Sequence, residues 1–170
     1  MGVDEIIRHL GLWPLVGEGG YFAETWRGPD AALSLGSHAL DRQRRPLGTA
    51  IYYLVTPGAF FALHRLKTDE VFHFYVGDPC RMLLLGQSGE VETRVLGTDH
   101  VAGMRPQVVV PAGWWQGTRL LEPTPEDFAL LGTTMAPGYH PDDVELAQRT
   151  VLDRRYAEKL PLIAPFFPET

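Results

Sequence analysis

The sequence predicts an all-β fold, a β-sandwich or barrel with short helices at its two ends. From Thr49 onward, short stretches rich in β-branched and aromatic residues follow one another at near-regular intervals. Turn signals close them: Pro57-Gly58, Lys67-Thr68-Asp69, Gly77-Asp78-Pro79 and Gln87-Ser88-Gly89-Glu90. Short strands in such a series favour a sandwich or barrel over alternating strand–helix units.

Taken in order, residues 4–10 place Ile6, Ile7 and Leu10 at helical spacing behind Asp4, an N-cap residue type, with Gly11 as the stop. EGGYFAETWRG (18–28) reads as a strand opened by glycines. Residues 29–46 mix Gly, Ser, Asp and Arg and predict a loop or ragged hairpin. TAIYYLV, FFALHRL, EVFHFYV, RMLLLG, VETRVLG, PQVVVP, QGTRLL and FALLGTTM then supply successive strands. After Pro141 the pattern turns helical through Val144, Leu146 and Ala147, then Val151, Leu152 and Tyr156. Pro161, Pro165 and Pro168 predict an extended arm for the last ten residues.

With 170 residues, the chain has the length of one domain spanning 1–170. A net charge of −6 and scattered basic residues argue against a nucleic-acid duplex as partner, which requires a basic stripe against phosphates. Cys80 is the single cysteine, so no intrachain disulfide forms and a reducing compartment is expected. Asp4, Glu5 and Arg8 interrupt the apolar N-terminus, which removes a signal peptide. No run reaches the roughly eighteen apolar residues of a membrane span. A cytoplasmic protein is the expectation. Neither a Gly-rich phosphate loop nor a GxSxG elbow is present.

Side chains alternate across a strand, and here that rule points to chemistry. Ala62, His64 and Leu66 share one face of FFALHRL, while Glu70, Phe72, Phe74 and Val76 share one face of EVFHFYV. A tight hairpin between the strands would turn His64 and Glu70 into one space walled by Phe72 and Phe74. A carboxylate held among those rings has its pKa raised unless a cation or metal meets it. The same alternation is compatible with a buried hydrogen-bonded pair or an exposed one. His73 falls on the opposite face and reads as structural or interfacial. Trp114 and Trp115 flank Gln116, and adjacent tryptophans on a strand fill different apolar layers or stack on a ligand.

Gly58-x5-His64-x-Leu66-x3-Glu70-x6-Gly77 resembles the first motif of the cupin superfamily, with Leu66 at the position of its second histidine. Pro111-x-Gly113-x-x-Gln116 resembles the second motif, with Gln116 in place of histidine; Arg105 and Leu120 replace its flanking glycine and asparagine. The runs LGLWPLVGEGGYFAETWR, TAIYYLV, HRLKTDEVFHFYVGDP, LGTD, PQVVVPAGWWQ and MAPGYHPDD are similar, in order, to signatures of the cupin-5 (DUF985) family. The resemblance implies a double-stranded β-helix, the cupin jelly roll. It also implies a homodimer joined through the N-terminal segment or an exposed strand, and kinship to germin-like proteins and nucleotide-sugar epimerases.

Three functions follow from that resemblance. An isomerase or epimerase on a sugar-like or nucleotide-sugar-like compound would use His64 as base, oriented by Glu70. Phe72, Phe74, Gln116 and Glu24 would then meet the substrate, and Tyr21, Glu24, Tyr52 or Tyr53 would return the proton. A metal-dependent enzyme of oxygenase type would hold a divalent transition metal on His64, Glu70 and Gln116. A non-catalytic protein would bind a metabolite in the same barrel.

Overall fold

The computed structural model describes residues 2–32, 44–150, 152 and 156–167. Helix α1 (Val3–Leu10) is closed by Gly11 in the left-handed conformation, φ 62°, as its glycine predicts. Its N-cap is Gly2, not Asp4, which lies within the first turn and there complements the helix dipole. The strands are β1 (Trp13–Pro14), β2 (Tyr21–Arg27), β3 (Asp30–Ala32), β4 (Arg44–Pro46), β5 (Thr49–Val55), β6 (Phe61–Arg65), β7 (Glu70–Gly77), β8 (Cys80–Leu85), β9 (Val91–Leu96), β10 (Gln107–Val110), β11 (Trp115–Leu120), β12 (Ala129–Met135) and β13 (Glu145–Leu146). A short helix α2 (Leu160–Ile163) follows.

Two antiparallel sheets face each other, in the orders β1-β2-β5-β12-β7-β10 and β13-β6-β11-β8-β9. Tyr53, Phe61, Phe72, Met82, Leu96 and Leu131 fill the space between them, each 2% exposed or less. Burying such side chains contributes about 1.5–3 kcal/mol apiece. A second cluster covers the back of the five-stranded sheet, where Leu63, Leu85 and Trp115 meet Leu152, Tyr156, Ile163 and Phe166. A third sets Ile6 and Leu12 against Leu54 on the back of the other sheet. The adjacent tryptophans do serve different layers: Trp115 joins the second cluster and Trp114 packs on the first.

Three expectations about the ends and connections are corrected. The chain from β6 to β7 does not close a hairpin; it crosses between sheets, since β6 pairs with β11 and β13 while β7 pairs with β10 and β12. Backbone and side-chain bonds hold that crossing, Gly113 N–H donating to Leu66 O at 2.7 Å and Ala112 N–H to Asp69 Oδ1 at 2.8 Å. Residues 145–146 form a strand on β6, not a helix, because the β6 edge offers backbone partners. The chain after Leu160 coils into α2 and a 3-10 turn at Ala164–Phe166 instead of extending. Pro161 and Pro165 sit in first turns, where a missing N–H costs nothing. Segment 29–46 is a hairpin of β3 on β4 at its described ends; residues 33–43, Val151 and Pro168 lie outside the described residues. Among the described residues no helix is long and apolar enough to cross a membrane.

Candidate functional site

The interior end of the sandwich contains a partly open chamber of about 160 Å³. Leu15, Phe22, Ile51, Phe61, Leu66 and Met135 give it an apolar body, and Glu18, Glu24, Thr49, Glu70, Thr133 and Tyr139 give it polar points. Glu70 opens β7 with its side chain turned inward, 5% exposed. His64 and Gln116 stand opposite each other on paired strands, both 1% exposed. Alternation therefore placed His64 and Glu70 on interior faces, and the sheet crossing brings those faces together across the sandwich.

Glu18 arrives from a loop. Gly17, Gly19 and Gly20 all take positive φ, and they fold residues 15–20 inward between β1 and β2. Two bonds anchor the turn: Ala62 N–H donates to Glu18 O, and the Tyr53 hydroxyl donates to Gly19 O, each at 2.7 Å. A Cβ on Gly20 would stand 2.0 Å from Tyr53 Oη, so only glycine permits this approach.

Within the cluster each polar group has a definite state. His64 Nδ1 lies 2.8 Å from Ala62 O. A carbonyl only accepts, so Nδ1 carries the proton and Nε2 presents a lone pair. Burial lowers the imidazole pKa to about 4, and the ring is neutral at physiological pH. Its Nε2 faces Glu18 Oε2 at 3.5 Å. Burial first, and then the charge of Glu70, raises the Glu18 carboxyl from 4.5 to about 7. Glu70 is also raised by burial, against hydrogen bonds from Thr133 and from Gln116, whose amide nitrogen is 2.7 Å from Glu70 Oε2. His64 Nε2 and Gln116 Oε1 are buried without a hydrogen-bond partner.

The other expected residues are placed as follows. Phe72 is fully buried in the core and Phe74 packs on it, but neither lines the chamber; Phe22 and Phe61 are its aromatic walls. Phe72 points inward as alternation requires, yet packs edge-on against Phe61, which stands between it and the open space. Glu24 lines the chamber at its solvent side, held by Arg27 through two bonds of 2.8 and 2.9 Å. Tyr21 and Tyr52 pack on the back of the sheet with Leu54, and Tyr53 is tied to Gly19. His73 contacts Thr134 and Gln107 away from the chamber. Strand alternation does not reach Glu18 or Tyr139; the signal for Glu18 is a carboxylate set among Gly17, Gly19 and Gly20, the composition of a tight, re-entrant turn.

A metal held by His64, Glu70 and Gln116 does not fit these residues. Gln116 turns its amide nitrogen toward Glu70, His64 Nε2 faces Glu18, and Leu66 offers no donor. Among the described residues no three His, Cys, Asp or Glu side chains gather as a metal-binding group.

Two facing antiparallel sheets with a polar cluster at one interior end fit the cupin jelly roll. More narrowly, the chain belongs to the cupin-5 family, described as Cupin superfamily (DUF985), whose model matches residues 4–147. An uncharacterized protein of Saccharomyces cerevisiae, YML079W, is 29% identical over 139 residues, 77% of this chain and 69% of that one. Protein SO0799 of Shewanella oneidensis superposes with a TM-score of 0.84 at 29% identity, covering 99% of both chains. A hypothetical protein of Leishmania major superposes with a TM-score of 0.86 at 24% identity, covering 99% of this chain and 100% of that one, a likeness of fold alone.

Proposed function

We propose that the chain is an isomerase or epimerase of small sugar-like carbonyl compounds, with Glu18 as the group that carries the proton. One observation supports this above the rest: Glu18 and Glu70 share the wall of a mostly apolar chamber, with a neutral imidazole 3.5 Å behind Glu18. A base that works near neutral pH needs a pKa near neutrality, and Glu18, at about 7, meets that need better than His64 at about 4. The carboxylate takes the proton from carbon beside the carbonyl, and the electron pair moves onto the carbonyl oxygen. Tyr139, on the same wall, donates a hydrogen bond to that oxygen. Neutral Glu18 then donates toward His64 Nε2 until the proton returns to carbon. Return from the other face draws its proton from solvent at the Glu24 side, where Glu24 itself is held as a carboxylate by Arg27.

The chamber is close to the ~150 Å³ that accommodates a benzene ring, so it admits only the reacting part of a larger compound. The nucleotide of a nucleotide sugar would remain outside, beside Glu24 and Arg27. The test is incorporation of solvent deuterium into a panel of small hydroxy-ketones and aldoses, followed by proton NMR. Exchange is expected with the parent chain, falling about 10²- to 10⁴-fold in Glu18→Gln. Saturable binding with no exchange across the panel would leave a metabolite-binding protein and remove the isomerase.

A homodimer accompanies this reading, supported by exposed Tyr75 and Val109 on the outward side of the six-stranded sheet. Sedimentation equilibrium is expected to return twice the chain mass, and a monomer at micromolar concentration would remove the pairing.

A further inference from the structure

The polar wall of the chamber is unbalanced in hydrogen-bonding type. Glu18 and Glu70 are its carboxyls; behind them, off the chamber lining, His64 Nε2 takes any proton Glu18 carries as a hydrogen bond, and Gln116 directs one of its two amide N–H groups at Glu70 while its Oε1 has no partner. Among the described residues no Lys or Arg lines this chamber. The nearest wall residue with a cationic neighbour is Glu24, and its Arg27 is already engaged in both bonds of the pair. Thr133 donates to Glu70, which leaves the hydroxyls of Thr49 and Tyr139 as the donors on offer. Buried acceptors without donors are costly, and a guest that brings donors and positive charge relieves that cost.

From this imbalance we infer that the compound bound in the chamber carries an ammonium group: the substrate class is a small amino-carbonyl compound, its cation set between Glu18 and Glu70. The apolar walls suit the hydrocarbon of such a guest, and the rings of Phe22 and Phe61 attract a cation as well. An ammonium ion needs no convergent ligand set, because it donates along three separate directions. This inference deepens the proposed function and rests on its chamber, but it is independent of the reaction.

Calorimetric titration of the full chain near neutral pH, with benzylamine, benzyl alcohol and benzoate as probes of one shape, tests it. Benzylamine is expected to bind at least about tenfold more tightly than benzyl alcohol, with benzoate weakest. Glu18→Gln and Glu70→Gln are each expected to draw the amine and alcohol affinities together. Equal affinities in the parent chain, tighter benzoate, or no amine binding at millimolar concentration would overturn the inference, whatever the variants do. So would stoichiometric Mn²⁺ or Zn²⁺ binding that excludes the amine, which would return the chamber to a metal. Amine preference without deuterium exchange in any carbonyl compound would remove the isomerase and leave the ammonium site. Exchange in neutral compounds with no amine preference would do the reverse.

Discussion

Relative to the parent chain, Glu18→Gln is expected to gain stability as pH rises from about 4.5 to 7, and His64→Gln to lose stability as pH rises from about 4 to 6.5. The folded chain raises the Glu18 carboxyl from 4.5 to about 7, so in that window the folded state holds a proton that the unfolded chain has released. Its contribution to stability is complete below 4.5 and is lost as pH climbs through 7. His64 runs the other way. Its pKa falls from 6.5 to about 4, so its contribution is complete above 6.5 and is lost as pH drops through 4. At 1.36 kcal/mol per pKa unit, each swing is roughly 3 kcal/mol. Between pH 4.5 and 6.5 the opposite slopes cancel in the parent, where folding in effect moves one proton from His64 to Glu18. Removing either partner uncovers the other. Glu70 is raised too, and because its charge is felt at Glu18, the Glu18→Gln difference carries that coupling as well. Urea denaturation across pH 4–7.5 reads both slopes. Parallel slopes in the two variants would mean that the two side chains are not both buried inside the sandwich.

That pair also marks how much of the site was legible. His64 and Glu70 sit on strands, where a period of two decides the face before any tertiary contact is known. Glu18 sits on a turn, which has no such rule. Its inward course depends on three positive-φ glycines and on Tyr53, 35 residues away in sequence, receiving the backbone of Gly19. Phe72 illustrates a different limit: alternation gives direction but not depth, and Phe61 occupies the place at the chamber wall. The expected hairpin between β6 and β7 had the same origin. A short turn fits both a hairpin and a step between sheets, and only the pairing of β11 and β12 with their neighbours separates the two. The prolines of the tail read as breakers, yet a first helical turn tolerates them, so α2 was hidden by composition.

A stronger expectation concerns Asp143, whose truncation to alanine should cost about 3–5 kcal/mol, a large share of a domain's usual 5–15. Asp143 and Arg45 form a two-bond ion pair 98 residues apart in sequence, with side chains 0% and 2% exposed. Asp143→Ala leaves the Arg45 guanidinium buried without that carboxylate, and a guanidinium cannot shed its proton in response. Arg45→Met is expected to cost less, because Lys67 Nζ stands 3.5 Å from Asp143 Oδ1 and still offers the carboxylate a cation. Replacing both at once, Arg45→Met with Asp143→Leu, should recover most of the loss, as buried pairs exchanged for apolar side chains commonly do. The pair also fixes a wall of the chamber. It ties β4 to the turn at Pro141–Asp143, while Gly138 N–H donates to Pro46 O and Tyr139 N–H to Thr49 Oγ1 just before it. Those two bonds, neither of which uses Arg45 or Asp143, persist in the double variant and keep Tyr139 at the chamber. Deuterium exchange should therefore follow stability, failing in Asp143→Ala at temperatures where the double variant retains it. Full stability with lost exchange in the double variant would instead mean that the ion pair positions Tyr139 directly.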